Sequence, residues 1–162
     1  MRWWQVSGSA DPTNTRARMR TPVEVRWHNM AKFDHDFIGR DALSAEIANP
    51  KRTTVTLCWN ADDVLDTYAS LVRPGEPYKQ VDLPYAPQRW PMAHADYVLK
   101  DGSEIGYSSG TIYSSHFRQF LSLACIEIGP SEIGTKYRAV GRSRRRPHKG
   151  HSRDGCAVPV FQ

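Results

Sequence analysis

An α+β fold, rich in β-structure, with a barrel-like or curled sheet and two short helices, is what this sequence predicts. Three observations predict it. Apolar runs recur at 53–59, 97–100, 105–107 and 120–128, and each reads as a strand. Two stretches, 40–48 and 60–72, carry helical spacing but are too short to build a bundle. Turn signals sit between the runs: Asp101-Gly102, Gly129-Pro130 and Gly134. With 162 residues, 40% of them hydrophobic, the chain is long enough for one domain with a real core.

Residues 1–20 show no hydrophobic period and are expected to lack regular structure. Thr21-Pro22-Val-Glu-Val-Arg-Trp-His28 alternates apolar and polar residues, which predicts a strand with Pro22 at its start. Ala42, Leu43, Ile47 and Ala48 share one helical face, and Pro50 ends that helix. Thr53–Trp59 is the strongest strand. Asn60 is a plausible N-cap, with Asp62 and Asp63 in the first turn. Val64, Leu65, Tyr68, Leu71 and Val72 would form the apolar stripe of that helix.

Residues 73–91 hold five prolines and predict a long extended loop. A meander follows: Tyr97–Lys100, the Asp101-Gly102 turn, Ile105–Tyr107, then Phe120–Ile128. From Tyr137 the composition turns to Arg, Pro, Gly and Ser, including Arg144-Arg145-Arg146, and predicts a disordered tail. The resulting division is 1–20, 21–50, 51–136 and 137–162.

Net charge is +5, but it is not spread evenly. Residues 137–162 carry seven Lys/Arg and one Asp, whereas 1–136 carry fifteen Lys/Arg and sixteen Asp/Glu. The positive excess therefore belongs to the tail and says nothing about partners of the remainder. That tail is either a solvated segment or a phosphate-binding arm. No apolar run reaches the roughly 20 residues of a membrane span, and no signal-peptide pattern opens the chain. Three cysteines (Cys58, Cys125, Cys156) cannot all pair within it. Two lie in apolar strands, which predicts reduced thiols and a cytoplasmic location.

Asp34-His35-Asp36, with His28, has the residue types of a metal or acid–base site. Its spacing matches no metal signature, so no metal is expected, and a turn or helix-entry role or a ligand contact remains open. Gly106–Ser115, rich in Gly and hydroxyls, predicts either close ligand approach or a β-bulge. There is no dinucleotide or P-loop glycine motif, no zinc-type cysteine spacing and no nucleophile elbow.

Two stretches carry a likeness. Thr21-Pro22-Val-Glu24, followed by Lys32-Phe-Asp-His-Asp-Phe-Ile-Gly-Arg-Asp-Ala-Leu43, resembles the late part of the aminomethyltransferase (glycine cleavage T-protein) family. Gly106-x-Ser-Ser-Gly-x-x-Tyr113-Ser and Ile133-Gly-Thr-Lys136 resemble segments of that family's C-terminal barrel. Phe33–Phe37 and Asp62–Leu65 look most like the tetrahydrofolate-dependent O-demethylases of vanillate, syringate or 3-O-methylgallate. The resemblance implies that residues 21–50 connect from a folate-binding domain absent here and that 51–136 form the C-terminal barrel. It implies transfer of a methoxy methyl group from an aromatic methyl ether to tetrahydrofolate. It places Glu24, Lys32, His35 and Tyr113 on the folate or substrate cavity, Glu24 and Tyr113 by motif position and His35 by chemistry. No catalytic residue is assigned, and the chain alone is expected to be inactive. A glycine-cleavage-type aminomethyltransferase and a non-enzymatic binding module using the basic tail are the alternatives. After Lys136 the likeness stops abruptly, as a frameshift in a GC-rich gene would make it.

Overall fold

The computed structural model describes residues 5–11, 13–78, 92–129, 131, 133–140 and 151–153. In chain order the elements are β1 (Gln5–Ser7), α1 (Thr15–Arg18), a 3-10 turn (His28–Met30), α2 (Arg40–Ala48), β2 (Arg52–Cys58), α3 (Ala61–Ala69), β3 (Met92–His94), β4 (Asp96–Lys100), β5 (Ser103–Ser114), β6 (Gln119–Glu127), β7 (Tyr137–Val140) and β8 (His151–Arg153). Six strands form one sheet in the order β2-β6-β5-β4-β7-β8, each antiparallel to its neighbour. β1 and β3 pair separately and in parallel. The α+β, β-rich class holds. Among the described residues the large sheet is open, with β2 and β8 at its two ends, and does not close into a barrel.

The meander follows local chemistry. Asp101 and Gly102 take positive φ of 51° and 83°, the pair of left-handed residues that a tight hairpin requires. The glycine- and hydroxyl-rich stretch is not a connection between strands but the body of β5. Its pairing with β6 shifts register between Ser109 and Thr111, so the bulge reading of that stretch holds. Gly106 has a specific packing reason: a Cβ there would strike the Cys125 carbonyl oxygen and Ile126 Cα on β6.

One face of the sheet carries Val55, Leu57, Val98, Ile105, Ala124, Ile126 and Tyr137. Leu57, Val98 and Ile126 are fully buried, each worth roughly 1.5–3 kcal/mol of apolar transfer. Asn60 caps α3, its side-chain oxygen accepting from Asp63 N–H at 3.1 Å. The helix buries Val64 and Thr67, while Leu65 points to solvent, which turns the predicted stripe toward Thr67 with Val64 still in it. α2 forms over the predicted span, yet none of its residues is fully buried. The two other helical pieces, α1 and the 3-10 turn, were not expected.

Three sequence expectations need correction. Residues 5–11 and 13–17 are held in place, those from Ser9 on by contacts with the meander. Ser9 N–H donates to Asp96 Oδ1 at 3.0 Å, Ala10 N–H to Ala95 C=O at 3.0 Å, and Asn14 Nδ2 to Tyr107 Oη at 2.8 Å. Ala10 and Ala17 bury themselves against Ala95 and Tyr107, with Tyr97 packed beside them. Small side chains with no period leave no local signal of this. Secondly, the tail is not wholly unstructured: 138–140 pairs with β4 and 151–153 pairs with 137–139. The rest of the tail, and 79–91 of the proline-rich loop, lie outside the described residues, as does Cys156. Thirdly, Thr21–His28 is a capped turn rather than a strand.

Candidate functional site

That turn is built from Thr21-Pro22-Val23-Glu24. Glu24 N–H donates to Thr21 Oγ1 at 3.2 Å, and Thr21 N–H donates back to Glu24 Oε2 at 3.0 Å. This reciprocal pair is a capping box, and Pro22 occupies the first helical position, where a missing N–H costs nothing. One helical turn follows and stops at once. Trp27 N–H reaches back to Pro22 C=O at 2.7 Å, and Arg26 N–H to Val23 C=O at 3.0 Å. Arg26 takes φ of 60°, the left-handed position where glycine usually ends a helix. The alternating valines imitate a strand, but the capping pattern decides the conformation.

Glu24 fastens the turn to the sheet. It is 3% exposed. Its Oε1 accepts from Arg52 Nε at 2.8 Å and from Arg16 Nη1 at 3.4 Å. Its carbonyl accepts from Thr54 N–H and Thr54 Oγ1–H at 2.9 and 2.8 Å, covering the outer edge of β2. Thr21 Oγ1–H donates to Glu46 Oε1 at 2.6 Å, which ties in α2.

Between this turn, α2 and the outer side of β2 and β6 lies a groove of about 850 Å³. Val23, Val25, Trp27, Ile47, Leu123 and Ile128 make apolar walls, and Arg26, His28, Asn29 and Arg52 bring polar groups. His28 Nδ1 is buried and makes no hydrogen bond. Arg26 Nε donates to Thr53 Oγ1 at 3.2 Å, holding the strained residue at the rim.

The four sequence candidates do not meet. Glu24 lies beside the groove with its carboxylate engaged by Arg52, Arg16 and Thr21. Lys32 is exposed. His35 is exposed and holds Asp34 Oδ1 at 2.7 Å, in a local cluster with Phe33 and Phe37. Tyr113 packs on Phe120, ring centres 5.2 Å apart, on the face of the sheet that carries the core. None of the four lines the groove. His28 does, but His35 is not with it. Among the described residues, no group of three or more His, Cys, Asp or Glu is placed to hold a metal. No helix is long and apolar enough to cross a membrane among them either. Sequence reasoning named neither Arg26 nor Trp27. The signal was there in the Thr-x-x-Glu capping pattern, which would have put both at the end of a helical turn.

Two groups titrate away from their ordinary values. Burial first, and then the neighbouring Glu104 carboxylate, push the Tyr107 phenol up to about 12. Burial pushes the Cys125 thiol up, assisted by Glu24. Cys58 and Cys125 are both buried and free. Thr54 faces Cys125 across the β2–β6 ladder, so the two thiols lie four residues apart along it, roughly 13 Å. That distance forbids a disulfide.

The sequence that builds this sheet and turn is similar to that of two curated proteins. The chain is 39% identical over 137 residues to the sesamin methylene transferase of a Sinomonas species, covering 80% of this chain and 30% of that protein. It is 32% identical over 131 residues to the syringate O-demethylase of a Sphingobium species, covering 81% of this chain and 28% of that one. No family model matches. Over four fifths of its length the chain is thus similar to a methylene transferase and an O-demethylase. It spans about 30% of the length of these curated relatives.

Proposed function

We propose that this chain is the C-terminal portion of a tetrahydrofolate-dependent enzyme that removes a one-carbon group from a lignin-derived methoxy aromatic. The similarity to syringate O-demethylase and sesamin methylene transferase, over four fifths of this chain, carries the reading. The segment 21–43, on which the family resemblance rests, is also the one that builds the turn beside the groove.

The described residues do not by themselves fit the folate head group. Its aminopyrimidinone edge calls for a paired acceptor such as a carboxylate, and the groove is lined by none. Glu24, next to the lining residue Val23, is already engaged. No chemical step is therefore assigned to this chain. Its part is to complete and hold a cavity whose reacting groups come from elsewhere. Transfer from an ether needs a positioned acceptor and a proton donor for the leaving oxygen, and both depend on orientation and exclusion of water.

The test is an assay of purified 1–162 with tetrahydrofolate and syringate or vanillate, read as the demethylated phenol. No turnover is expected from the chain alone. Turnover is expected when it replaces the matched segment of a full-length relative. Measurable demethylation by 1–162 alone overturns the division of labour. The match to a protein named for methylene transfer favours a second donor class, a methylene rather than a methyl group, and sesamin belongs in the same assay.

A further inference from the structure

Two stretches near the start of the chain are fastened to the sheet from outside. Residues 9–11 and 13–18 form a strap over the Tyr97–Tyr107 end, and the capped turn from Thr21 to Trp27 clasps β2. Their attachment is mostly polar. Within both stretches only Ser9, Ala10, Ala17, Val23 and Glu24 are buried, and valine is the largest apolar side chain among these. The larger apolar side chains, Met19 and Trp27, are 64% and 66% exposed. Hydrogen bonds supply the remainder. Ser9 and Ala10 N–H reach Asp96 and Ala95, Tyr97 N–H donates to Ser9 Oγ at 2.9 Å, and Thr54 and Arg52 donate to Glu24. The sheet itself is held by fully buried Leu57, Val98 and Ile126. A segment with so little apolar burial opens at a lower free energy than such strands.

Strap and turn are also joined to each other. Asn14 Oδ1 accepts from Arg16 N–H at 2.9 Å and caps α1, while Asn14 Nδ2 donates to Tyr107 Oη at 2.8 Å. The same short helix carries Arg16, whose Nη1 lies 3.4 Å from Glu24 Oε1. Arg20 Nη1 donates to the Arg16 and Met19 carbonyls at 2.8 and 2.9 Å, which fixes the end of α1 beside the turn. The backbone donors Val25, Arg26 and Trp27 all bond within the turn, so it can leave β2 without unwinding. Beyond it, residues 31–39 bury no side chain before α2 begins, and Gly39 holds φ of 91° with open space around it. Such a stretch can absorb a hinge movement. The groove straddles this division. Its lining residues from Val23 to Asn29 sit on the turn side, and the opposite wall includes Ile47, Leu123 and Ile128.

We infer that strap and turn are one cooperative lid. Residues 9–11 and 13–29 open from the sheet together, coupled through Arg16 and Glu24, and the groove is gated by that movement rather than being a fixed cleft. The strap acts at a distance: its bond to Tyr107 touches no residue of the turn, yet it helps hold the turn shut. This coupling requires no particular ligand and no reaction, so it stands or falls apart from the proposed activity.

The test is native-state amide exchange of the 162-residue chain, read amide by amide by NMR at low urea concentrations. The Ala10, Ala17 and Met19 amides of the strap and the Val25, Arg26 and Trp27 amides of the turn are expected to share one opening constant, within about twofold. They are also expected to share one urea slope, well below that of the Val55 and Leu57 amides in the β2–β6 ladder. Asn14→Ala is expected to speed exchange of strap and turn alike by about fivefold, and Tyr107→Phe, which keeps the ring, by a similar factor. With Arg16→Met present, Asn14→Ala is expected to act on the strap alone. Turn amides that ignore both Asn14→Ala and Tyr107→Phe overturn the inference, because strap and turn then open separately. A shared slope equal to that of the ladder overturns it too, because the segment then opens only with the whole sheet. A turn that still responds to Asn14→Ala after Arg16→Met overturns the route through Arg16 and Glu24.

Discussion

Arg52 addresses Glu24 through two nitrogens aimed at one oxygen: Nε donates at 2.8 Å and Nη2 lies 2.6 Å away, both on Oε1. The second oxygen is left for the Thr21 amide. The pair is nearly dry, with side chains 11% and 3% exposed. Removing one member therefore strands the other. Glu24→Ala is expected to cost about 3 kcal/mol, and Glu24→Gln about half that, because the amide oxygen still accepts. Urea unfolding of both variants checks this. A loss under about 1 kcal/mol for Glu24→Ala would mean that the turn is held to β2 by Thr54 alone.

The Tyr107 phenol gives the fold an alkaline limit. Its folded value is raised to about 12, above the unfolded value near 10. The folded state then keeps a proton that the unfolded state releases. Stability is complete below pH 10 and declines as the pH rises from there through about 12. Tyr107→Phe is expected to lose about 1 kcal/mol at neutral pH with the Asn14 hydrogen bond, and to flatten that decline. Denaturant midpoints at pH 8, 10 and 11 measure both effects.

Two glycines of the meander separate close approach from turn geometry. Gly106→Ala drives a methyl group into the β6 backbone, whereas Gly102 has open space around it and only its φ of 83° to satisfy. The first substitution is expected to abolish soluble expression or cost more than about 3 kcal/mol. Gly102→Ala is expected to cost about 1–2 kcal/mol. Equal losses at the two sites would refute the packing role given to Gly106.

Thiol chemistry should be silent in the native state. Cys58 and Cys125 are buried, and the Cys125 thiol is held above its ordinary value. A thiol reagent at pH 8 is expected to label neither until denaturant is added. Fast native labelling of Cys125, read by peptide mass, contradicts the burial.

What the sequence disclosed was local chemistry. β2, α3 with its Asn60 cap, and the Asp101-Gly102 hairpin each carry their own signal within about ten residues, and each was legible. Thr21–His28 misled because Val23, Val25 and Trp27 alternate like a strand, while the decisive hydrogen bonds are the Thr21–Glu24 pair. Residues 9–11 and 13–17 gave nothing, since their contacts come from residues some ninety positions later. The groove was invisible for the same reason: its walls come from three separate segments, 23–29, 47–54 and 123–128. Tyr137–Val140 was masked by the arginines that follow it, although its own tyrosine and valine suit a strand.

The sheet order has a cost in time. β2 ends at Cys58, yet β6, the strand beside it in the sheet, is complete only at Glu127. At about 5–20 residues per second, a ribosome takes roughly 3–14 s to make the intervening stretch. For that interval Thr53-Thr-Val-Thr-Leu-Cys58 is a nascent β-branched segment without its sheet neighbour, open to pairing with any other extended chain nearby. The yield of native protein is thus set during synthesis, by how well this one segment is shielded until the meander arrives.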